Sequence, residues 1–134
     1  MEHAEIEAKD RQLIEAATDV IRRNYRDERH TVGAAVLCAS GRIYVGVNID
    51  SCGYGPCAEP IAIGAAISNG ERDFLSVVAV GAGNGNYRVI PPCGNCRQLL
   101  LDYAPDALVI LEYDGILVKT QVRNLLPAPY VMFG

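Results

Sequence analysis

The chain has 134 residues, with 12 Lys and Arg against 16 Asp and Glu, a formal net charge of -4 and 50% hydrophobic residues. That length fits one domain over residues 1–134, and an acidic chain without a basic block has no clustered cations with which to hold a nucleic-acid backbone. No apolar run approaches the roughly 20 residues of a membrane-spanning helix, and the polar start MEHAEIEAKD is unlike a secretory leader. A cytoplasmic protein with a small-molecule substrate, and neither nucleic acid nor membrane as partner, is the expectation.

From Glu5 to Tyr25 the residues Ile6, Leu13, Ile14, Ala17, Val20 and Ile21 recur at helical spacing between charged residues, which predicts an amphipathic helix. After the polar RDERH, VGAAVLCAS and RIYVGVN read as two strands joined at Ser40-Gly41. IDSCGYGP is a glycine-rich loop leading into CAEPIAIGAAISNG, a predicted helix that stops at Asn69-Gly70. Proline is tolerated only in the first turn of a helix, where its missing N–H has no partner in any case. Pro60 therefore lets this helix begin no earlier than about Pro56 or Cys57. The helix is apolar nearly all round, through Ile61, Ala62, Ile63, Ala65, Ala66 and Ile67. That predicts burial against a sheet on one side and against another subunit on the other.

A strand from Phe74 to Ala82 comes next, then a loop, GNGNYRVIPP, and a second cysteine-led helix, CGNCRQLLLDYA. ALVILEY and GILVKTQ read as strands joined at Asp114-Gly115, and VRNLLP as a closing helical turn. Strands alternating with helices predict an α/β fold, and the opening hairpin predicts a mixed sheet.

Five cysteines in an intracellular chain do not suggest a disulfide framework, and the odd count points the same way. Cys38, within VGAAVLCAS, reads as a small buried hydrophobe, and Cys52 as a free thiol. Cys93 and Cys96, three apart on a helix start, fit either a redox pair or a metal site. Cys57, opening another helix behind its own proline, tips the balance toward metal. Helix N-termini favour thiolates, and sulfur ligands favour zinc over magnesium or calcium. A structural zinc closes with four protein ligands, whereas three leave a place for water. His3 lies in the polar N-terminus and His30 just ahead of a strand, so neither makes a fourth. An open zinc site activates water, and Glu59, two residues from Cys57, is placed to carry the protons. The plainer use of Glu59 is an acid at a helix N-terminus, worth about a few tenths of a kcal/mol.

CAE followed by PCxxC is the zinc deaminase signature. Through VGAA, GRIYVGVN, CAEPIAIGAAIS, PPCGNCRQLLLDYAP and VRNLLP the chain resembles the cytidine deaminase family over almost its whole length. The resemblance implies a three-layer α-β-α cytidine deaminase-like fold with a mixed five-stranded sheet, assembled as a homotetramer. It further implies Zn2+ on Cys57, Cys93 and Cys96 and hydrolytic deamination at C4 of a cytosine-type free nucleoside, cytidine or deoxycytidine. Glu59 would shuttle protons, and ammonia would leave.

The match is looser where substrate is chosen. Asn48 and Asp50, in NIDS, stand where family members hold the ribose, and Ala58 joins them beside the metal. The loop from Asn48 to Cys57 is two residues shorter than the usual family loop. Its GPCAE spacing and the ending LLPAPYV look more like blasticidin S deaminases, which makes an aminonucleoside antibiotic or another cytosine-like compound the alternative substrate. A noncatalytic zinc-bound scaffold is a third alternative, and Glu59 counts against it. His30 replaces an aromatic expected before VGA, and is a candidate to stack on a base or bond a sugar. Pro60 stands where many three-cysteine members carry Arg, so Arg97 is the candidate to offset the charge of the thiolates, its plainer role being a solvated helix arginine. Tyr130 and Phe133 are candidates to close a pocket, their own or that of a neighbouring subunit.

Overall fold

The structure is a computed structural model and describes residues 1–131; Phe133 lies outside the described residues. Three helices, α1 (Ala8–Asn24), α2 (Ala58–Ser68) and α3 (Gly94–Tyr103), flank one sheet. Its strands are β1 (Ala4–Glu5), β2 (Val32–Cys38), β3 (Ile43–Val47), β4 (Phe74–Gly83), β5 (Asn86–Ile90), β6 (Leu108–Tyr113) and β7 (Ile116–Gln121), and a 3-10 turn follows at Val122–Leu125. The order across the sheet is β1-β7-β6-β4-β2-β3, with β5 paired to the second half of β4. β4 and β6 run parallel and the other pairs antiparallel, so the sheet is mixed as expected.

Side chains of a strand alternate between faces, and β2 shows what that does here. Ala34, Val36 and Cys38 turn to one face and pack with Ala62 and Ile63 of α2 and Leu100 of α3. Ala35 turns to the other, against Leu13 and Ala17 of α1. Two apolar layers result, and fully buried side chains such as Leu13, Ile21, Leu100 and Ile110 each stabilise the fold by about 2 kcal/mol. Glycine sets how closely the helices approach. A Cβ at Gly33 would run into the Ala17 carbonyl oxygen of α1, and one at Gly46 would lie 2.7 Å from the Ala62 amide nitrogen of α2.

The sheet has seven strands, where five were expected, because two short ones extend it. The loop expected over GNGNYRVIPP is in fact a hairpin. Asn84 and Gly85 both take positive φ, 52° and 76°, the geometry that folds NYRVI back onto β4. At the other edge β1 pairs with β7, and Lys119 of β7 fastens the segment behind it, reaching Asp10 at 2.9 Å and Glu7 at 2.5 Å. The helix expected from Glu5 begins instead at Ala8, since the Glu7 N–H donates to the Asp10 carboxylate at 2.8 Å and ends the helix there. The Asp114-Gly115 turn has positive φ at both residues, as its sequence suggested.

α2 starts at Ala58 with Cys57 as N-cap, which places Pro60 in its first turn. Ala58, Glu59, Ala62, Ile63 and Ala66 are buried, while Pro60, Ile61, Gly64 and Ala65 are half-buried. Cys38 is fully buried in the core and Cys52 is exposed. Among the described residues no helix is long and apolar enough to cross a membrane.

Candidate active site

Both α2 and α3 begin at a cysteine, and the two enter their helices the same way. Cys57 has φ -66° and ψ 169°, Cys93 φ -70° and ψ 171°. The extended backbone at each N-cap swings the side chain back across the helix start, where unpaired N–H groups and the positive dipole end lie. Cys96, in the first turn of α3, is 1% exposed. The Sγ atoms of Cys57 and Cys93 are 3.5 Å apart, as are those of Cys93 and Cys96, and all three lie within 4.8 Å of one another. Tetrahedral zinc with Zn–S bonds of about 2.3 Å needs sulfurs roughly 3.8 Å apart. Three soft donors at near that spacing fit zinc, and α2 and α3 bring no fourth thiol or imidazole to close the set.

Burial pushes the Cys57 thiol up, and it pushes Cys96 up strongly, with the Glu59 carboxylate adding to the effect at Cys96. At Cys93 burial acts in the same sense but is outweighed by the N–H groups of Cys96 and Asn95 and by the neighbouring thiols, so that its thiolate is favoured. One thiol of the cluster is thus poised to ionise first, and a bound cation would reverse the penalty on the other two. Glu59, 4% exposed, is held above the usual carboxylate range chiefly by burial, against the pull of its own backbone N–H and of Cys96. A carboxyl shifted this way holds a proton more readily than an exposed one, as a proton carrier must.

Glu59, Cys57 and Cys93 line a cavity of about 200 Å³ together with Asn48, Asp50 and Ala58. Ile90, the last residue of β5, and Pro91 after it form another part of its wall. A roomier groove of about 500 Å³ runs along α1, but none of its lining residues belongs to the thiol cluster. Asn48 is fixed by the strand beside it. Its Oδ1 accepts from the Thr31 and Val32 N–H groups at 2.8 and 2.9 Å, and its Nδ2 donates to Thr31 Oγ1 at 3.2 Å. His30 is not part of the cavity lining. Its Nδ1 is hydrogen-bonded to the Asn48 carbonyl at 2.8 Å, so the ring stands behind Asn48.

Arg97 donates through Nε to the Pro92 carbonyl at 2.8 Å and through Nη1 to the Leu125 carbonyl at 3.0 Å. Its hydrogen bonds therefore go to the backbone on either side of α3 rather than to a thiol. Tyr130 offers its carbonyl to Gln98 Nε2 at 3.1 Å and leaves its side chain 70% exposed.

The family model described as the cytidine and deoxycytidylate deaminase zinc-binding region matches residues 7–112. Blasticidin-S deaminase of Bacillus cereus is 43% identical over 132 residues, covering 93% of this chain and 94% of the relative. Cytidine deaminase of Halalkalibacterium halodurans is 39% identical over 106 residues, 76% of this chain and 78% of the relative. Among solved structures, cytidine deaminase from Mycobacterium tuberculosis superposes with a TM-score of 0.76 at 29% identity, covering 94% of this chain and all of that one.

Proposed function

The chain belongs to the cytidine and deoxycytidylate deaminase family of zinc-dependent hydrolases, and we propose that it deaminates a cytosine-type free nucleoside, cytidine or deoxycytidine, releasing ammonia. One observation carries the proposal: three thiols lie within 4.8 Å of one another, and two of them, Cys57 and Cys93, share a cavity wall with the buried Glu59. Cys57, Cys93 and Cys96 are the residues to hold Zn2+, which when bound lowers the pKa of water and so supplies the nucleophile.

The chain's own residues do the rest. Glu59 would carry the two protons of the attacking water in turn, the first to the ring nitrogen and the second to the departing amine, which leaves as ammonia, a role its raised affinity for protons supports. Ala58 and Asn48 edge the same cavity, and we assign them, with Asp50, to holding the base and sugar. His30 acts through Asn48, and Arg97 through the loop ahead of Cys93. A cavity of about 200 Å³ suits one nucleoside, and its lining includes no Lys or Arg to meet a phosphate. We further assign the protein to the cytoplasm as a single domain over residues 1–134. A homotetramer, built over the half-buried face of α2 formed by Pro60, Ile61, Gly64 and Ala65, is the proposed assembly, with Tyr130 close to a pocket mouth.

A second substrate is favoured by a specific observation. The relative matched over nearly its full length is named for blasticidin S, and the short Asn48–Cys57 segment is held tight, its Ile49 N–H donating to the Pro56 carbonyl at 3.0 Å. Ammonia release from cytidine, deoxycytidine, cytosine and blasticidin S, with zinc content measured on the same sample, separates the substrates. Glu59→Ala should retain zinc and lose about 10²- to 10⁴-fold in turnover. Turnover within a few-fold of wild type would sink the assignment of Glu59.

A further inference from the structure

Ile90 and Pro91 border two spaces at once. On one side they line the cavity that holds Glu59, Cys57 and Cys93, and on the other an open cleft of about 390 Å³ whose far wall includes Glu112 and Asp114. Two residues are thus the partition between the cavity and the outside. The cleft arises because β5 and β6 divide one edge of β4 between them. β6 pairs with residues 76–78 and β5 with residues 79–83, and among the described residues no ladder joins β5 to β6. One ion pair spans the gap instead. Arg88 of β5 meets Glu112 of β6 with both prongs, Nε donating to Oε2 and Nη2 to Oε1, each at 3.1 Å.

We propose that the Arg88–Glu112 pair is a positioning clasp for the cavity wall, and that both residues act on substrate affinity through Ile90 and Pro91. Residues two apart on a strand share a face, so the fork that fixes Arg88 also fixes the face of β5 that carries Ile90. A two-pronged guanidinium–carboxylate contact constrains direction as well as distance. Without it, the end of β5 is held by β4 alone. The metal end is secured separately, since Arg97 grips the Pro92 carbonyl just ahead of Cys93. Slack at Arg88 is therefore confined to the wall, and it weakens the hold on substrate while leaving the chemical step intact. The effect on affinity rests on the deaminase function above, whereas the clasp itself does not.

The test uses the zinc-loaded full chain and the variants Arg88→Met, Glu112→Gln and the double variant. Arg88 is 74% exposed, so the pair is of the exposed kind, and each single variant should raise KM for cytidine about threefold with kcat unchanged within about 1.5-fold. The double variant should be no worse than either single one. At roughly 1 M salt, where screening acts within about 3 Å, wild type and variants should converge. Hydrogen exchange at the β5 amides should quicken by a similar factor in each variant at low salt. A pair that only stabilises the fold would lower the melting temperature and leave KM alone. Unchanged KM in both single variants, a fall in kcat in place of a rise in KM, or a double variant whose effect is the product of the two would each overturn the proposal. Failure of the wild type to deaminate cytidine or deoxycytidine strikes instead at the proposed function, and the exchange of the β5 amides then decides the clasp, unaltered exchange overturning it.

Discussion

Asn48→Ala tests whether the wall of the cavity is held by the side chain that is also assigned to the sugar. Asn48 sits one residue past β3, and its Oδ1 serves two backbone N–H groups, those of Thr31 and Val32, at 2.8 and 2.9 Å. Both donors are half-buried, so after truncation water replaces the lost acceptor only in part. Each such loss costs about 1 kcal/mol, giving about 2 kcal/mol in total. For a chain of this size about 4 °C per kcal/mol applies, and zinc-loaded Asn48→Ala should melt about 8 °C below wild type. Asn48→Asp keeps an acceptor for both N–H groups, so it should stay within about 3 °C of wild type. It loses the amide donor, one of whose hydrogens is free of Thr31 Oγ1 and available to substrate, and kcat/KM should fall about tenfold. Thermal denaturation at matched zinc content, paired with steady-state kinetics, checks both. Asn48→Ala melting within about 2 °C of wild type would refute the wall argument.

Gly46→Ala places a methyl group 2.7 Å from both the Ala62 amide nitrogen and Ile61 Cγ2, so α2 must lift from β3. Overpacking of this kind costs about 1–3 kcal/mol, and because α2 carries Cys57 and Glu59, zinc affinity and turnover should fall with it. Gly46→Ala with wild-type zinc affinity would show that α2 is not positioned by this contact. Lys119→Met leaves Asp10, 2% exposed, without its cation and should cost about 3 kcal/mol in urea denaturation. The pH dependence follows from the same clasp. Hydrogen bonds to Glu7 and then Asp10 raise the Lys119 pKa above its ordinary 10.5. That contribution is complete below pH 10.5 and is lost as pH rises through the folded value. The Glu7 carboxyl, lowered from 4.5 first by its hydrogen bond to Lys119, contributes above pH 4.5 and is lost as pH falls through its own folded value. The clasp's own contribution should therefore hold level between those limits, and Lys119→Met should show a shallower alkaline decline than wild type. A variant within about 1 kcal/mol of wild type would remove the clasp from the account.

How much of this could be read in advance depended on whether the signal was local. The metal set was legible because Cys93 and Cys96 lie on one turn and Cys57 repeats their Pro-Cys setting at a second helix. The strands β6 and β7 were legible because Asp114-Gly115 announces its turn. β5 escaped because GNGNY, with two glycines and two asparagines in five residues, reads as loop, whereas only Asn84-Gly85 is the turn. With β5 went Ile90 and Pro91, which line the cavity. β1 escaped for another reason: two residues carry no periodicity, and their pairing with β7 is secured from a distance by Lys119. The place of His30 was available in principle. Antiparallel pairing sets Gly33 opposite Val47 and Ala34 opposite Gly46, and extending that register brings the segment around His30 alongside Asn48 and Asp50.

The charge at the metal poses a problem that the sequence framed in terms of side chains and the structure recasts in terms of backbone. Three thiolates exceed the charge of Zn2+ by one unit, which weakens its pull on water unless something offsets it. The cavity lining contains neither Lys nor Arg, and Arg97 gives its hydrogen bonds to the Pro92 and Leu125 carbonyls. What does face the sulfurs is the start of α2 and the start of α3, with about half a positive charge each, and the N–H groups of Asn95 and Cys96 already favour the Cys93 thiolate. Two such ends sum to about one charge, the amount required. An offset built from helix ends works only while both helices stay aimed at the same point. That requirement gives Arg97 a use its charge alone does not. By gripping the carbonyl of Pro92, immediately before Cys93, and tying it to the end of the closing 3-10 turn, it fixes the direction in which α3 begins. We infer that Arg97 positions the ligands and leaves neutralisation to the helices, and that Pro60 can stand in the first turn of α2 because no cation is needed there.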